Sequence, residues 1–170
     1  MAFRCPYCSF AHKEPLTRPC PQCNQHLLHT ALHSHRIRQW LSAAGSIVTA
    51  EVKEQSSAYS WLFRGAVAGA PGHLCAAVER EARFLHDLEG TGPFPRLVHA
   101  SPCPLSGLPG AFAQFIEGHR LSDIRQLRVP EAIPLMLKIA EAVALLHDQG
   151  LVHGSLSPER FIVNPSEIGR

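Results

Sequence analysis

Four cysteines in the first twenty-three residues constrain this chain more than any other feature. They form two C-x-x-C turns, Cys5-Pro-Tyr-Cys8 and Cys20-Pro-Gln-Cys23, with eleven residues between them. Two such turns satisfy a tetrahedral metal ion that takes four soft ligands, and backbone N–H groups within each turn help hold the thiolates ionised. A segment this short buries too little apolar surface to fold alone, so metal binding and folding are expected to be one event. Zinc is the expected ion, with a disulfide pair as the alternative. Four cysteine ligands leave no open position, so the site reads as structural rather than catalytic. A thioredoxin-like redox role would need one C-x-x-C in a βαβ context, which this sequence lacks.

The segment resembles the zinc ribbon family. Arg4, Lys13 and Arg18 give it a mild positive charge, consistent with a solvated or protein-docking surface; nucleic-acid binding is the minor reading. The whole chain carries a formal charge of +2, too little to argue for a nucleic acid or an anionic membrane as partner. Hydrophobic residues make up 45% of the 170, enough for a packed core. No basic-then-apolar leader opens the sequence, and no apolar run approaches the roughly 20 residues of a membrane span. A soluble cytoplasmic protein without membrane contact is the expectation.

Residues 26–43 read as a connector. His26, His29 and His33 are spaced to share one helical face. No carboxylate or cysteine joins them, so a second metal site is the minor reading beside a polar helix. Ile37, Trp40 and Leu41 recur at helical spacing and are expected to pack on the following domain.

Near the other end, Leu145 to Val163 reads as the close of an apolar helix, a glycine stop at Gly150, a short strand, a polar loop and a second short strand. It resembles the catalytic-loop region of the protein kinase family, whose pattern is His-Arg-Asp-Leu-Lys-Pro-Glu-Asn. Here the loop is His153-Gly154-Ser155-Leu156-Ser157-Pro158-Glu159-Arg160. The framework positions His153, Leu156, Pro158 and Glu159 match. Ser155 stands in place of the base Asp, Ser157 in place of the Lys, and Arg160 in place of the metal-binding Asn.

The kinase resemblance implies an α+β fold. A small lobe with a five-stranded antiparallel sheet and the family's helix C would span 44–120, behind a zinc ribbon at 1–25. The start of a large lobe, with helix E and the catalytic-loop region, would span 121–170. Zinc ribbons ahead of kinase domains occur in bacteria, and this chain looks like that layout. Ser46–Val52 and Tyr59–Arg64 are expected as the first hairpin, whose linker Lys53–Ala58 has no glycine to close over phosphate. A short strand from His73 to Val78 would run into helix C, whose glutamate would be Glu81. The strand's lysine should fall near Glu79, but no lysine lies between Lys53 and Lys138, so Glu81 is expected as a surface or capping residue. Pro95–Ala100 and Gly110–Gly118 are two further strands. The second resembles the family's hinge, which implies that the backbone from Gln114 to Ile116 faces an adenine. Cys75 and Cys103 read as buried apolar filler. Pro130 opens helix E, with Pro134 expected still within its first turn. The face of that helix is expected to expose apolar surface.

With the catalytic Asp, Lys and Asn positions replaced, the sequence points to a pseudokinase-like protein-binding scaffold holding structural zinc, with ATP and magnesium doubtful. The alternatives are the front part of an active, atypical serine/threonine kinase and a zinc-dependent nucleic-acid binder.

Overall fold

The computed structural model describes residues 3–5, 8, 10–12, 19–24, 31–32, 35–42, 46–54, 58–89 and 91–164. The chain forms two compact units, Met1–Glu89 with Pro95–Phe115, and Gly90–Phe94 with Ile116–Arg170.

In the first unit, β1 (Phe3–Arg4) and β2 (Ala11–His12) pair antiparallel around the first C-x-x-C turn. Then come β3 (Ala31–Leu32), β4 (His35–Ser42), β5 (Ile47–Glu54), β6 (Ser60–Ala66), α1 (Gly72–Asp87), β7 (Leu97–Pro102) and β8 (Pro109–Gln114). They form one antiparallel sheet in the order β3-β4-β5-β6-β8-β7. The five longer strands match the expected number, although one expected segment is helical and β4 is new; the two-residue β3 adds a sixth.

Residues opposite one another in a ladder share a face. Trp40, Ala50, Phe63, Phe112 and His99 are linked in register, and Ile37 pairs with Val52 on the same face. Thr49, Arg64, Ala111 and Ala100 are linked on the other face. On that second face lies α1, burying Val78 and Ala82. The sheet is strongly curled. His35 and Phe112 are three strands apart, which in a flat sheet would mean about 14 Å, yet their ring centroids lie 4.9 Å apart. The face carrying Phe63 and Phe112 is therefore concave.

Two expectations fail here. The stretch around Ile37, Trp40 and Leu41 is strand β4, not a helix. The register shifts between Ile37 and Gln39 and between Trp40 and Ser42. Each bulge adds a residue, so Ile37 and Trp40, three apart, land on one face of a strand and imitate helical spacing. The expected strand from His73 to Val78 is the opening of α1. Its residues Cys75, Ala76, Ala77 and Val78 include two alanines, which favour helix over strand. The first long strand of the sheet is thus β4, and the hairpin expected first supplies the second and third, β5 and β6. Residues 43–45, between β4 and β5, lie outside the described residues. So do His26, His29 and His33.

In the second unit, β9 (His119–Arg120) leads into a 3-10 turn at Leu121–Asp123, then α2 (Val129–Asp148), a second 3-10 turn at Pro158–Arg160 and β10 (Ile162–Val163). Pro130 lies in the first turn of α2. Pro134 does not: it sits in the second turn, where its missing N–H leaves the Pro130 carbonyl without its helical donor. The helix ends in a Schellman motif, with Gly150 at φ 70°. The Gly150 N–H donates to the His147 carbonyl and the Leu151 N–H to the Leu146 carbonyl, both at 2.9 Å. Of the two short strands expected after Gly150, only the second forms, as β10, and it pairs with β9. That pairing brings the Val163 carbonyl against Gly118, where an added Cβ would lie 2.5 Å from the oxygen. Among the described residues, Leu146 and Val163 are the buried apolar side chains of this unit. Val129, Ile133, Met136 and Leu137 of α2 are exposed, as expected. No helix among the described residues is long and apolar enough to cross a membrane.

Candidate functional site

The four cysteines converge. All four Sγ atoms lie within 4.8 Å of one another. Cys5 is 3.7 Å from Cys23, and Cys8 is 3.6 Å from Cys20. None is in a disulfide. A tetrahedron with metal–sulfur bonds of about 2.3 Å has edges of about 3.8 Å, so the observed spacing fits a metal ion. The turns are set locally: the Cys5 N–H donates to the Phe10 carbonyl (2.8 Å), and the Asn24 N–H donates to the Cys20 carbonyl (2.7 Å) with Asn24 at φ 53°. Burial raises the Cys20 thiol, but the N–H groups of Cys23 and Gln22 and the neighbouring thiols outweigh it and hold Cys20 at about 6. A thiol near 6 is largely thiolate at neutral pH, the form a metal needs.

A second site was missed in the sequence. Arg64, on β6, meets Glu81, on α1, at 2.8 Å, with a further hydrogen bond of 3.1 Å from Nη1 to Oε1. Glu81, expected without a cation partner, is therefore paired, while its side chain remains about one-third exposed. In the kinase family a lysine on the third strand pairs with the helix C glutamate. Here β6 is the third long strand, and its Arg64 pairs with a glutamate of the helix that follows. The expected lysine position near Glu79 lies within α1, and the third long strand carries Arg64 instead of a lysine. The signal was present in Trp61-Leu-Phe-Arg64, an apolar strand ending in a charge. Arg64 Nε is buried with no hydrogen-bond partner, so the guanidinium spends its bonding on Glu81 through one edge.

The loop from His153 to Arg160 lies after α2 as expected. Gly154 adopts φ 69°, and the Ser155 N–H donates to His153 Nδ1 at 3.3 Å. The Arg160 N–H donates to the Ser157 carbonyl at 3.0 Å, closing the 3-10 turn. A hydrogen bond from the Ser157 hydroxyl holds the Glu159 carboxyl below its ordinary range. His153, Ser155 and Arg160 are all solvent-exposed. No carboxylate stands at position 155, and a neutral hydroxyl is a poor proton acceptor.

At the expected hinge, Gln114 ends β8. Its N–H donates to the Arg96 carbonyl at 2.8 Å, and its side-chain oxygen accepts from the Arg96 N–H at 3.5 Å. Ile116 opens the second unit. A cavity of about 760 Å³ lies elsewhere, between α1 and the β7–β8 strands, lined by Ala82, Arg83, His86, Leu97, Ser101 and Gly110 among others.

No family model matches the chain. Over 95 residues, 54% of its length, it is 32% identical to serine/threonine-protein kinase pkn2 of Myxococcus xanthus, of which it spans 11%. Among solved structures it is similar to the kinase domain of PknI from Mycobacterium tuberculosis, with a TM-score of 0.60 and 12% identity over 81% of this chain and 58% of that one. It is also similar to the kinase PK-1 of the Cydia pomonella granulovirus, with a TM-score of 0.60 and 12% identity over 79% of this chain and 48% of that one. These likenesses establish a protein kinase-like fold, preceded here by a cysteine cluster able to hold a metal ion.

Proposed function

We propose that this chain is a cytoplasmic, non-catalytic kinase-like module that holds a structural zinc ion and binds a protein partner. The observation that carries the reading is the loop: its helix, glycine turn and 3-10 turn are in place, while Ser155, Ser157 and Arg160 occupy the reactive positions. Phosphoryl transfer needs an aspartate to accept the hydroxyl proton and a metal to neutralise developing charge. Arg160 would repel the second metal from the position where the family has an amide. Zinc is the ion favoured by four thiolates in tetrahedral spacing. The exposed stripe of α2, Val129, Ile133, Met136 and Leu137, supports protein docking.

The test is incubation with magnesium ATP, followed by phosphate incorporation and thermal shift. No incorporation is expected for the protein or for Ser155→Asp, because Arg160 and Ser157 still stand where charge neutralisation is needed. Autophosphorylation that disappears in Ser155→Ala would overturn the reading.

The Arg64–Glu81 pair favours a second reading, the front part of an unusual working kinase, since it keeps the strand-to-helix ion pair on which that chemistry depends. Nucleotide binding lost in Arg64→Ala would support it.

A further inference from the structure

The concave face of the sheet needs a cover, and the cysteine cluster is part of it. With α1 on the opposite face, Ile37, Val48, Ala50, Val52 and Phe63 are nonetheless buried to 1% exposure or less. The buried cluster they form is continuous with Cys5 and Cys20, and includes Trp40; Cys23 packs against it. Cys5 and Cys20 are themselves fully buried, although the strands flanking the first turn are only two residues long. The sheet's own core residues contribute to that burial, since they share one cluster with both cysteines. β4 lies toward the edge of the sheet: it carries two register shifts in eight residues, and its outer neighbour β3 is two residues long.

We infer that the four-cysteine centre is a metal-dependent cap of the sheet, so that metal occupancy sets whether β4 stays seated. This rests on the reading above that the cluster holds a metal. It also makes the N-terminal segment inseparable from the sheet, unlike an independent ribbon joined by a connector. By linkage the coupling is reciprocal: whatever unseats Trp40 also loosens the metal.

The experiment uses the whole chain. Metal content is measured first, then hydrogen exchange is followed before and after chelation. Amides of β4 and β5 are expected to lose at least about tenfold protection, and Trp40 fluorescence is expected to shift to the red. Trp40→Ala, which leaves all four cysteines in place, is expected to release metal to a coloured chelator about tenfold faster, and Trp40→Phe to restore most of the retention. Loss of protection confined to residues 3–24, or unchanged metal release in Trp40→Ala, overturns the coupling while leaving the metal site standing. Failure to take up zinc on reconstitution overturns both.

Discussion

Arg64 shows how one side chain carries information that a residue-type search passes over. Arginine and lysine both supply the charge, but arginine offers a fork of donors and keeps its charge at any attainable pH. The pair with Glu81 is about one-third exposed on each side, so its expected contribution is modest. Urea unfolding should show Glu81→Gln costing about 0.5–1 kcal/mol, with a similar coupling in the cycle with Arg64→Met. Glu131 gives a pH signature. Hydrogen bonds from the Arg128 guanidinium and from its N–H (3.1 Å) hold the Glu131 carboxyl below its ordinary value. A carboxyl lowered in the folded state stabilises above its unfolded value, and that stabilisation disappears as pH falls through the folded one. Helical ellipticity should therefore fall on acidification below about pH 4 in the native chain, and Glu131→Gln should remove that step. The four cysteine ligands were legible because metal chemistry fixes their spacing. The Arg64 partner was not, because it depends on which strand comes third.

At the level of elements, what was legible followed local rules. Gly150 was readable as a helix stop, and it takes the left-handed conformation with open space around it. Gly150→Ala should cost about 1 kcal/mol by backbone strain alone. Gly118→Ala adds a collision with the Val163 carbonyl, so β9 and β10 should separate; loss of protection at Val163 checks this. The exposed stripe of α2 was readable from its periodicity, and Leu137 is 60% exposed. Leu137→Glu should leave stability within about 0.5 kcal/mol, which urea unfolding checks. β4 was misread because its bulges are invisible in a single strand: they arise from pairing with β5, a long-range condition. The pairing of β10 with β9 is a long-range condition of the same kind.

For the molecule as a whole, the fold class was legible through the loop, whose framework residues fix a helix, a capped turn and a strand in sequence. The placement of the cysteine centre was not, because spacing alone says nothing about what a knuckle rests on. The first unit has a continuous buried cluster, whereas the second buries Leu146 and Val163 among its described residues. Calorimetry should therefore show two transitions, the smaller at lower temperature, and chelation should lower the larger. The curl that brings His35 onto Phe112 has a further consequence. In a sheet rolled that tightly, with a helix against its outer side and a continuous buried cluster filling its hollow, most of both broad faces is taken up by the unit's own packing.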